Sequence, residues 1–161
     1  MKKYLVIGNP IEHSLSPKLH NYWLNKNKID GNYDKKLLTD EKVGEFLKSN
    51  QKISGINVTV PFKKTVLNHC TELTELASIS QSVNTIIFSN EKIIGDNTDI
   101  YGFEQSLKDL NFDGLNKTAL ILGAGGVVSS VVIALNNLGV KNIVISNRTK
   151  NKAEALAKEY N

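Results

Sequence analysis

Two short strands in the last third of the chain are apolar on both faces, and this limits the fold more than any other feature. "TALILG", Thr118–Gly123, and "KNIVIS", Lys141–Ser146, do not alternate apolar with polar residues. A strand apolar on both sides needs cover on both sides, which is the condition inside a parallel α/β sheet. Between the two, "GAGGVVSSVVIALNNLG" reads as a glycine turn running into a helix, and after the turn "NRT" the stretch "KNKAEALAKEY" reads as another helix. A β-α-β-α unit is therefore expected over residues 117–161. A dinucleotide-binding half contains at least βαβαβ, and its first strand normally has neighbours on both sides. Here Ala119–Leu122 has a candidate neighbour on one edge only, so the chain reads as a piece of something longer, truncated in its C-terminal half. Unpaired apolar edges recruit other chains, which predicts a homodimer or other self-association.

The glycine turn points to a ligand. Gly123-Ala124-Gly125-Gly126 follows an expected strand and opens an expected helix, the context that gives such a fingerprint meaning. Small residues let the backbone approach a pyrophosphate, and amides at the helix N-terminus bind it. The third glycine position of the pattern holds Val128, which predicts looser packing of helix on strand. At the end of the second strand stands Asn147-Arg148-Thr149, where NAD-specific folds place an acid for the ribose 2′-hydroxyl. A 2′-phosphate needs a cation instead. Arg148 can fork onto a phosphate, and Lys152, a helical turn later, adds charge. Arg148 is the single arginine beside nineteen lysines. The turn predicts NADP, against the bland readings of a plain strand-to-helix turn and a surface arginine.

Composition removes several classes. Hydrophobic content of 40% and charged content of 22% are those of a globular protein, and the chain has one core's worth of residues or two small cores. The net charge of +4 is spread as lysines among acids, with no basic stripe interleaved with aromatics, so no nucleic-acid partner is expected. No apolar run is long enough for a membrane span, and the N-terminal run Tyr4–Ile7 is too short for a signal peptide. Cys70 stands alone, which excludes an internal disulfide and agrees with a cytoplasmic location. Beside His69 it reads as a small packed residue rather than a nucleophile or metal ligand. His13 and His20 lack a third ligand at useful spacing, so no metal is expected.

The first 110 residues read as a second α/β domain, with Asn111–Asn116 as linker. Ser16 offers an N-cap oxygen and Pro17 suits a first helical position, opening a helix that carries Leu19, Tyr22 and Trp23 toward a core. "NYDKKLL" is an expected strand, and Thr39-Asp40-Glu41 opens a helix with Val43, Phe46 and Leu47 on its apolar face. Ile53–Val60 is a strand, followed by helix from Pro61 and again around Glu72–Ile79. Two strands joined at Ser89-Asn90-Glu91 and a helix near Ile100–Leu110 complete the domain. Polar groups gather at the strand ends: Ser14, Ser16, Asn57, Thr59, Lys63, Asn84 and Asp99. Open α/β sheets bind ligands just outside the carboxyl ends of their strands, so this set implies a small, heavily hydroxylated ligand. The bland alternatives are that Ser16 and Asp99 merely cap helices and that Asn84 satisfies backbone groups.

"GNPIEHSLSP", "NVTVPFK", "VNTI", "GDNTDIYG", "GAGG" and "NRT" occur in an order and spacing that resembles the shikimate dehydrogenases. The resemblance covers essentially the whole chain. It implies an N-terminal substrate domain plus the first β-α-β-α part of a Rossmann-type NADP-binding domain, and reversible NADPH-dependent reduction of 3-dehydroshikimate to shikimate in aromatic amino-acid biosynthesis. It further implies that Ser14 and Ser16 hold the substrate carboxylate, while Asn57, Thr59, Asn84 and Asp99 bond ring hydroxyls. Lys63 would be the acid/base residue with Asp99 as partner, and Gly123, Ala124, Gly125, Gly126, Asn147, Arg148, Thr149 and Lys152 would bind NADP. A proton donor near the carbonyl suits that chemistry, because hydride transfer leaves charge on oxygen. Members of the family continue beyond this length. The rival readings are a quinate-using relative, a folate-pathway dehydrogenase of similar architecture, and a fragment that binds ligand or another chain without turnover.

Overall fold

A computed structural model describes residues 1–50 and 52–160. Asn161, counted in the expected cofactor domain, lies outside the described residues. The chain divides into two units, Met1–Asp96 and Asn97–Asn161. The expected linker Asn111–Asn116 falls inside the second unit.

The first unit is a mixed sheet with helices. Its elements are β1 (Lys2–Gly8), α1 (Ser16–Lys26), β2 (Gly31–Leu37), α2 (Asp40–Ser49), β3 (Gly55–Val58), β4 (Glu72–Leu73), α3 (Glu75–Ser80), β5 (Thr85–Ser89) and β6 (Lys92–Asp96). The strand order is β2-β1-β3-β5-β6-β4. The first three strands are parallel, β5 runs antiparallel to both β3 and β6, and β4 is parallel to β6. A two-residue loop reverses the chain between β5 and β6. Its Asn90 and Glu91 both take positive φ, 48° and 64°, which suits the twist of a tight hairpin.

The core lies between α2 and the sheet. Val43 and Leu47, one helical turn apart, are fully buried against Ile7, Ile56, Phe62 and Val66. The apolar face expected of α2 is therefore the one it buries. For α1 the expected stripe is not: Leu19, Tyr22 and Trp23 are 47%, 59% and 45% exposed. The helix instead turns its Pro17, Asn21 and Leu24 side inward. Asn21 donates to the Tyr33 carbonyl at 2.7 Å and accepts from the Tyr33 amide at 2.9 Å, pairing with the outer edge of β2. Two hydrogen bonds to an edge strand thus set the rotation of a helix whose apolar residues alone indicate another one. Trp23 and Leu24 line a cavity of about 340 Å³ with Tyr4, Ile29 and Ile87.

After β3 the chain does not become α-helical as expected. Pro61–Lys64 is a turn, Thr65–His69 a short 3₁₀ segment, and Glu72–Leu73 forms the edge strand β4. The turn is held by backbone bonds from Phe62 to Thr59 and from Val83 to the Lys63 carbonyl, both 2.9 Å. That second bond ties the segment to the approach of β5 and prevents regular helix there.

The second unit contains α4 (Asp99–Asp109), β7 (Thr118–Leu122), α5 (Val128–Asn137), β8 (Asn142–Ser146) and α6 (Lys150–Glu159). β7 and β8 pair in parallel from Thr118↔Asn142 to Leu122↔Ser146. Ile121, Ile143 and Ile145 pack beneath Val128, Val132 and Leu156. Val128 therefore fills the core at the position where the fingerprint has glycine. The cover expected on both faces is found on one, since Leu120, Leu122 and Val144 on the other face are largely exposed. Among the described residues, no helix is long and apolar enough to cross a membrane.

Cys70 is half-buried, donates its thiol to the Val66 carbonyl at 3.2 Å, and is pushed up to about 11 by burial. Alkylation at pH 8 is expected to be about 100-fold slower in the folded chain than in urea, because the thiolate fraction falls with that shift. Equal rates would contradict its packing. Leu47→Ala is expected to lower unfolding free energy by about 3 kcal/mol in urea denaturation, the usual loss for a fully buried leucine.

Candidate active site

The parallel strands β1, β2 and β3 leave the sheet at one edge, and β5, being antiparallel, begins there. Asn57 pairs with Thr85 across β3 and β5, and the Val58 amide donates to the Asn84 carbonyl at 2.7 Å. Asn84 in turn donates its amide to the Asp96 carbonyl at 3.0 Å, at the end of β6. The exit of β1 is packed against the exit of β3. A Cβ at Gly8 would lie 2.7 Å from Thr59 Cγ2 and 3.1 Å from the Val60 carbonyl, so only glycine fits this approach. The amides of Thr59 and Asn9 close it, donating to Ile7 and Val60 at 3.0 Å each.

Six of the seven polar residues expected at the strand ends fall in this unit: Ser14, Ser16, Asn57, Thr59, Lys63 and Asn84. Asn57 and Asn84 are brought into direct contact, with Asn57 Nδ2 3.5 Å from the Asn84 carbonyl. Lys63 is half-buried, and its carbonyl is tied to Val83, next to Asn84. Lys64 beside it is exposed, as expected of the solvated lysine of the pair. Ser14 and Ser16 lie at the start of α1 with a changed division of labour. Leu15 is the N-cap residue, and the Ser14 hydroxyl, not that of Ser16, accepts an amide, from Ser16 at 3.3 Å. The Ser16 hydroxyl makes no protein hydrogen bond among the described residues. The cap expected of Ser16 is therefore absent, because the helix begins at Ser16, one residue earlier than expected, and Leu15 takes the N-cap position without a side-chain cap.

Asp99 opens α4 in the second unit, directly after Thr98, which holds the N-cap position. Asn97 Oδ1 accepts from the amides of Asp99 at 3.0 Å and Ile100 at 3.3 Å. Asn97 is fully buried and donates through Nδ2 to Ser130 Oγ on α5 at 2.9 Å. It satisfies amides of the first turn of α4 and anchors it to α5.

The glycine turn runs from β7 to α5. Gly123 has φ +118°, a conformation other residues rarely take, and its amide donates to the Ser146 carbonyl at 2.7 Å. A Cβ at Gly123 or at Gly125 would meet no protein atom within 4 Å. Neither glycine is required by packing, so the space above the turn suits a group that approaches the backbone closely. Ala124 packs into the core below, Gly126 completes the turn, and no side chain caps the first turn of α5. After β8, Asn147 Nδ2 donates to the Thr149 carbonyl at 2.9 Å, and Thr149 is the N-cap residue of α6. This folds the turn so that Arg148 and Lys152 are exposed. Arg148 makes no ion pair among the described residues, so its guanidinium is available to an anionic ligand. Residues at this turn therefore fit a nucleotide phosphate.

Three participants escaped the sequence reading. Tyr33 donates its hydroxyl to Asn57 Oδ1 at 2.7 Å, Thr85 joins Asn57 to Asn84, and Asn97 holds the start of α4. Tyr33 was detectable as the one aromatic in the charged strand "GNYDKKL", and Thr85 and Asn97 as neighbours of chosen residues in "VNTI" and "GDNTD". Among the described residues, no three His, Cys, Asp or Glu side chains converge to hold a metal ion.

Residues 6–86 match the family described as the shikimate dehydrogenase substrate binding domain, and residues 106–161 match shikimate / quinate 5-dehydrogenase. The shikimate dehydrogenase (NADP(+)) of Pelagibacter ubique is 54% identical over 161 residues, covering 99% of this chain and 61% of its own length. The Aquifex aeolicus shikimate dehydrogenase structure superposes with a TM-score of 0.94 at 37% identity, covering 99% of this chain and 60% of that one. The Thermus thermophilus enzyme in complex with NADP(H) and shikimate gives 0.91 at 34% identity, covering 99% of this chain and 61% of that one. The chain thus spans about 60% of the length of the relatives it matches. With both of its units matched and the fold shared along its described length, the chain belongs to the shikimate dehydrogenase family.

Proposed function

We propose that this chain binds shikimate at the carboxyl edge of its first unit and NADP at the glycine turn of its second, and interconverts shikimate and 3-dehydroshikimate. The observation that carries this reading is the hydrogen-bonded pair Asn57 and Asn84, placed beside the half-buried Lys63 where the strands of a shikimate dehydrogenase-type sheet end. A polyhydroxylated acid offers several hydroxyls to such amides, and its carboxylate suits the hydroxyls of Ser14 and Ser16 at the start of α1. Thr59 adds a further hydroxyl at the mouth of β3.

NADPH when bound supplies the hydride that reduces the substrate carbonyl carbon. The Lys63 ammonium stabilises the oxygen as charge develops on it and delivers the proton that completes the alcohol, and it takes that proton back in the reverse direction. Asp99 is proposed as its partner on motif order alone, since the two residues belong to separate units. Gly123, Gly125 and Gly126 receive the pyrophosphate, with Ala124 packing the turn from below. Asn147 and Thr149 shape the second turn, so that Arg148 and Lys152 receive the 2′-phosphate. Selectivity for NADP over NAD follows from a guanidinium at a position where no carboxylate stands. A cytoplasmic location belongs to the same reading and rests on the lone cysteine. So does self-association, supported by β7 having one strand neighbour among the described residues and by the exposed Leu120 and Leu122.

Shikimate-dependent reduction of NADP⁺ by the purified chain, measured beside equilibrium binding of each ligand, tests the proposal. Turnover is expected to fall by about 100-fold or more in Lys63→Ala with shikimate binding largely kept, the usual range for a lost proton donor. Arg148→Ala is expected to weaken NADP⁺ binding on the order of tenfold while leaving NAD⁺ binding unchanged. Binding of neither ligand would refute the assignment for this chain. Binding without turnover would confine it to ligand binding, and faster turnover with quinate would point to the quinate-using relatives.

A further inference from the structure

Tyr33 makes an unusual connection for a residue of an edge strand. It sits on β2, is 4% exposed, and reaches past β1 to donate its hydroxyl to Asn57 Oδ1 on β3 at 2.7 Å. Three other contacts hold it. The Asn21 amide grips its backbone from α1, and the His20 ring stacks on its own at 4.1 Å between centroids with 5° between planes. Val6 and Ile11 pack with it. From Asn57 the bonding continues: Asn57 Nδ2 donates to Thr85 Oγ1 at 3.2 Å, and the Thr85 hydroxyl donates to Asn84 Oδ1 at 3.1 Å.

The chain has a direction, and chemistry determines it. The Asn84 backbone carbonyl, 3.5 Å from Asn57 Nδ2, can only accept. Turning the Asn57 amide over would set its oxygen against that carbonyl, two acceptors facing each other. With the amide as it stands, Asn57 Oδ1 needs a donor, and the Tyr33 hydroxyl is that donor. Thr85 then receives an N–H on its oxygen and has its own proton to give, which it gives to Asn84 Oδ1. The Asn84 carbonyl and the Tyr33 hydroxyl thus hold the Asn57 amide from its two ends, and Thr85 carries that sense on to Asn84 Oδ1. Burial also raises the Tyr33 hydroxyl well above its ordinary pKa, so it remains protonated across the physiological range.

We infer that Tyr33 is a positioning residue for the proposed substrate site: its hydroxyl, together with the Asn84 carbonyl, holds the Asn57 amide in one sense and, through Thr85, supports the orientation of Asn84, the two residues proposed to meet the ligand's hydroxyls. The inference rests on the proposed shikimate site for its functional meaning, while the relay itself is a property of the unliganded protein. Without Tyr33 as donor, Asn57 Oδ1 loses its partner, and the long 3.5 Å contact to the Asn84 carbonyl is left to hold the sense of the amide. Thr85 is then offered an oxygen in place of an N–H part of the time, and its own bond to Asn84 Oδ1 weakens.

The test uses the whole chain labelled with ¹⁵N, and follows the side-chain amide signals of Asn57 and Asn84 together with shikimate affinity. Tyr33→Phe keeps the ring and its stacking and removes only the hydroxyl. It is expected to shift both amide signals, including that of Asn84, which Tyr33 does not touch, and to weaken shikimate binding about tenfold. Thr85→Val is expected to do the same, Thr85→Ser to restore the parent signals and affinity within about twofold, and the double variant Tyr33→Phe/Thr85→Val to lose no more than either single one. Asn84 signals unmoved by Tyr33→Phe, or losses that simply add in the double variant, would overturn the relay. If Tyr33→Phe does not fold, the contrast between Thr85→Ser and Thr85→Val decides the matter alone. A parent chain that does not bind shikimate would overturn the positioning role along with the functional reading, and the amide signals would then report on the relay separately.

Discussion

The antiparallel run of β5 between β3 and β6 is the constraint on which the site depends. In a wholly parallel sheet, each strand delivers only its last residues to the carboxyl edge, and successive exits are separated by crossovers. A reversed strand delivers its first residues to the same edge. Here that brings Asn84 beside Asn57, and the bonds from Val58 to Asn84, from Asn84 to Asp96 and from Val83 to Lys63 lock the arrangement with backbone groups alone. The two-residue turn at Asn90-Glu91 makes the reversal tight, so β6 returns immediately and ends at the same edge.

Backbone bonding places these residues, but it does not orient amides. An asparagine side chain has an acceptor and a donor end of nearly the same shape, and a site that recognises hydroxyls needs to present the right one. Each wrongly matched buried group costs about 1–3 kcal/mol, more than most single hydrogen bonds contribute. Tyr33, Thr85 and Asn97 share this role in different places. Tyr33 and Thr85 match the amides of Asn57 and Asn84, and Asn97 matches the first amides of α4. The residues proposed to meet ligand are thus supported by hydrogen-bonding neighbours, as pre-organised sites require.

The second unit solves a different problem, which is to leave backbone uncovered. Gly123 adopts its positive φ and, with Gly125, faces open space rather than packed side chains. Beneath them Val128 and Ala124 close the helix onto β7. The bulk that looked like a defect in the fingerprint is therefore absorbed on the core side of the helix. The bond within Asn147-Arg148-Thr149 shapes the facing turn and leaves the arginine exposed.

The strand positions other than β4, the glycine turn, the hairpin at Asn90-Glu91 and the buried face of α2 were legible in order along the chain, because each depends on residues within a few positions of one another. The polar groups at the strand mouths were legible for the same reason: a hydroxyl, an amide or an ammonium at the end of an apolar run is conspicuous locally. The rotation of α1, the break of helix after Pro61 and the cap on α4 were not. In each case a distant partner overrode a local preference: Asn21 on the edge of β2, Val83 on the Lys63 carbonyl, Ser130 beneath Asn97. Local pattern records which side chains an element offers. Only the tertiary fold decides which distant donor meets which acceptor, since that depends on strand order and on the reversal of β5. That is why Tyr33, a single aromatic in a charged strand, acquires its place in the candidate site only once β2, β1 and β3 lie side by side.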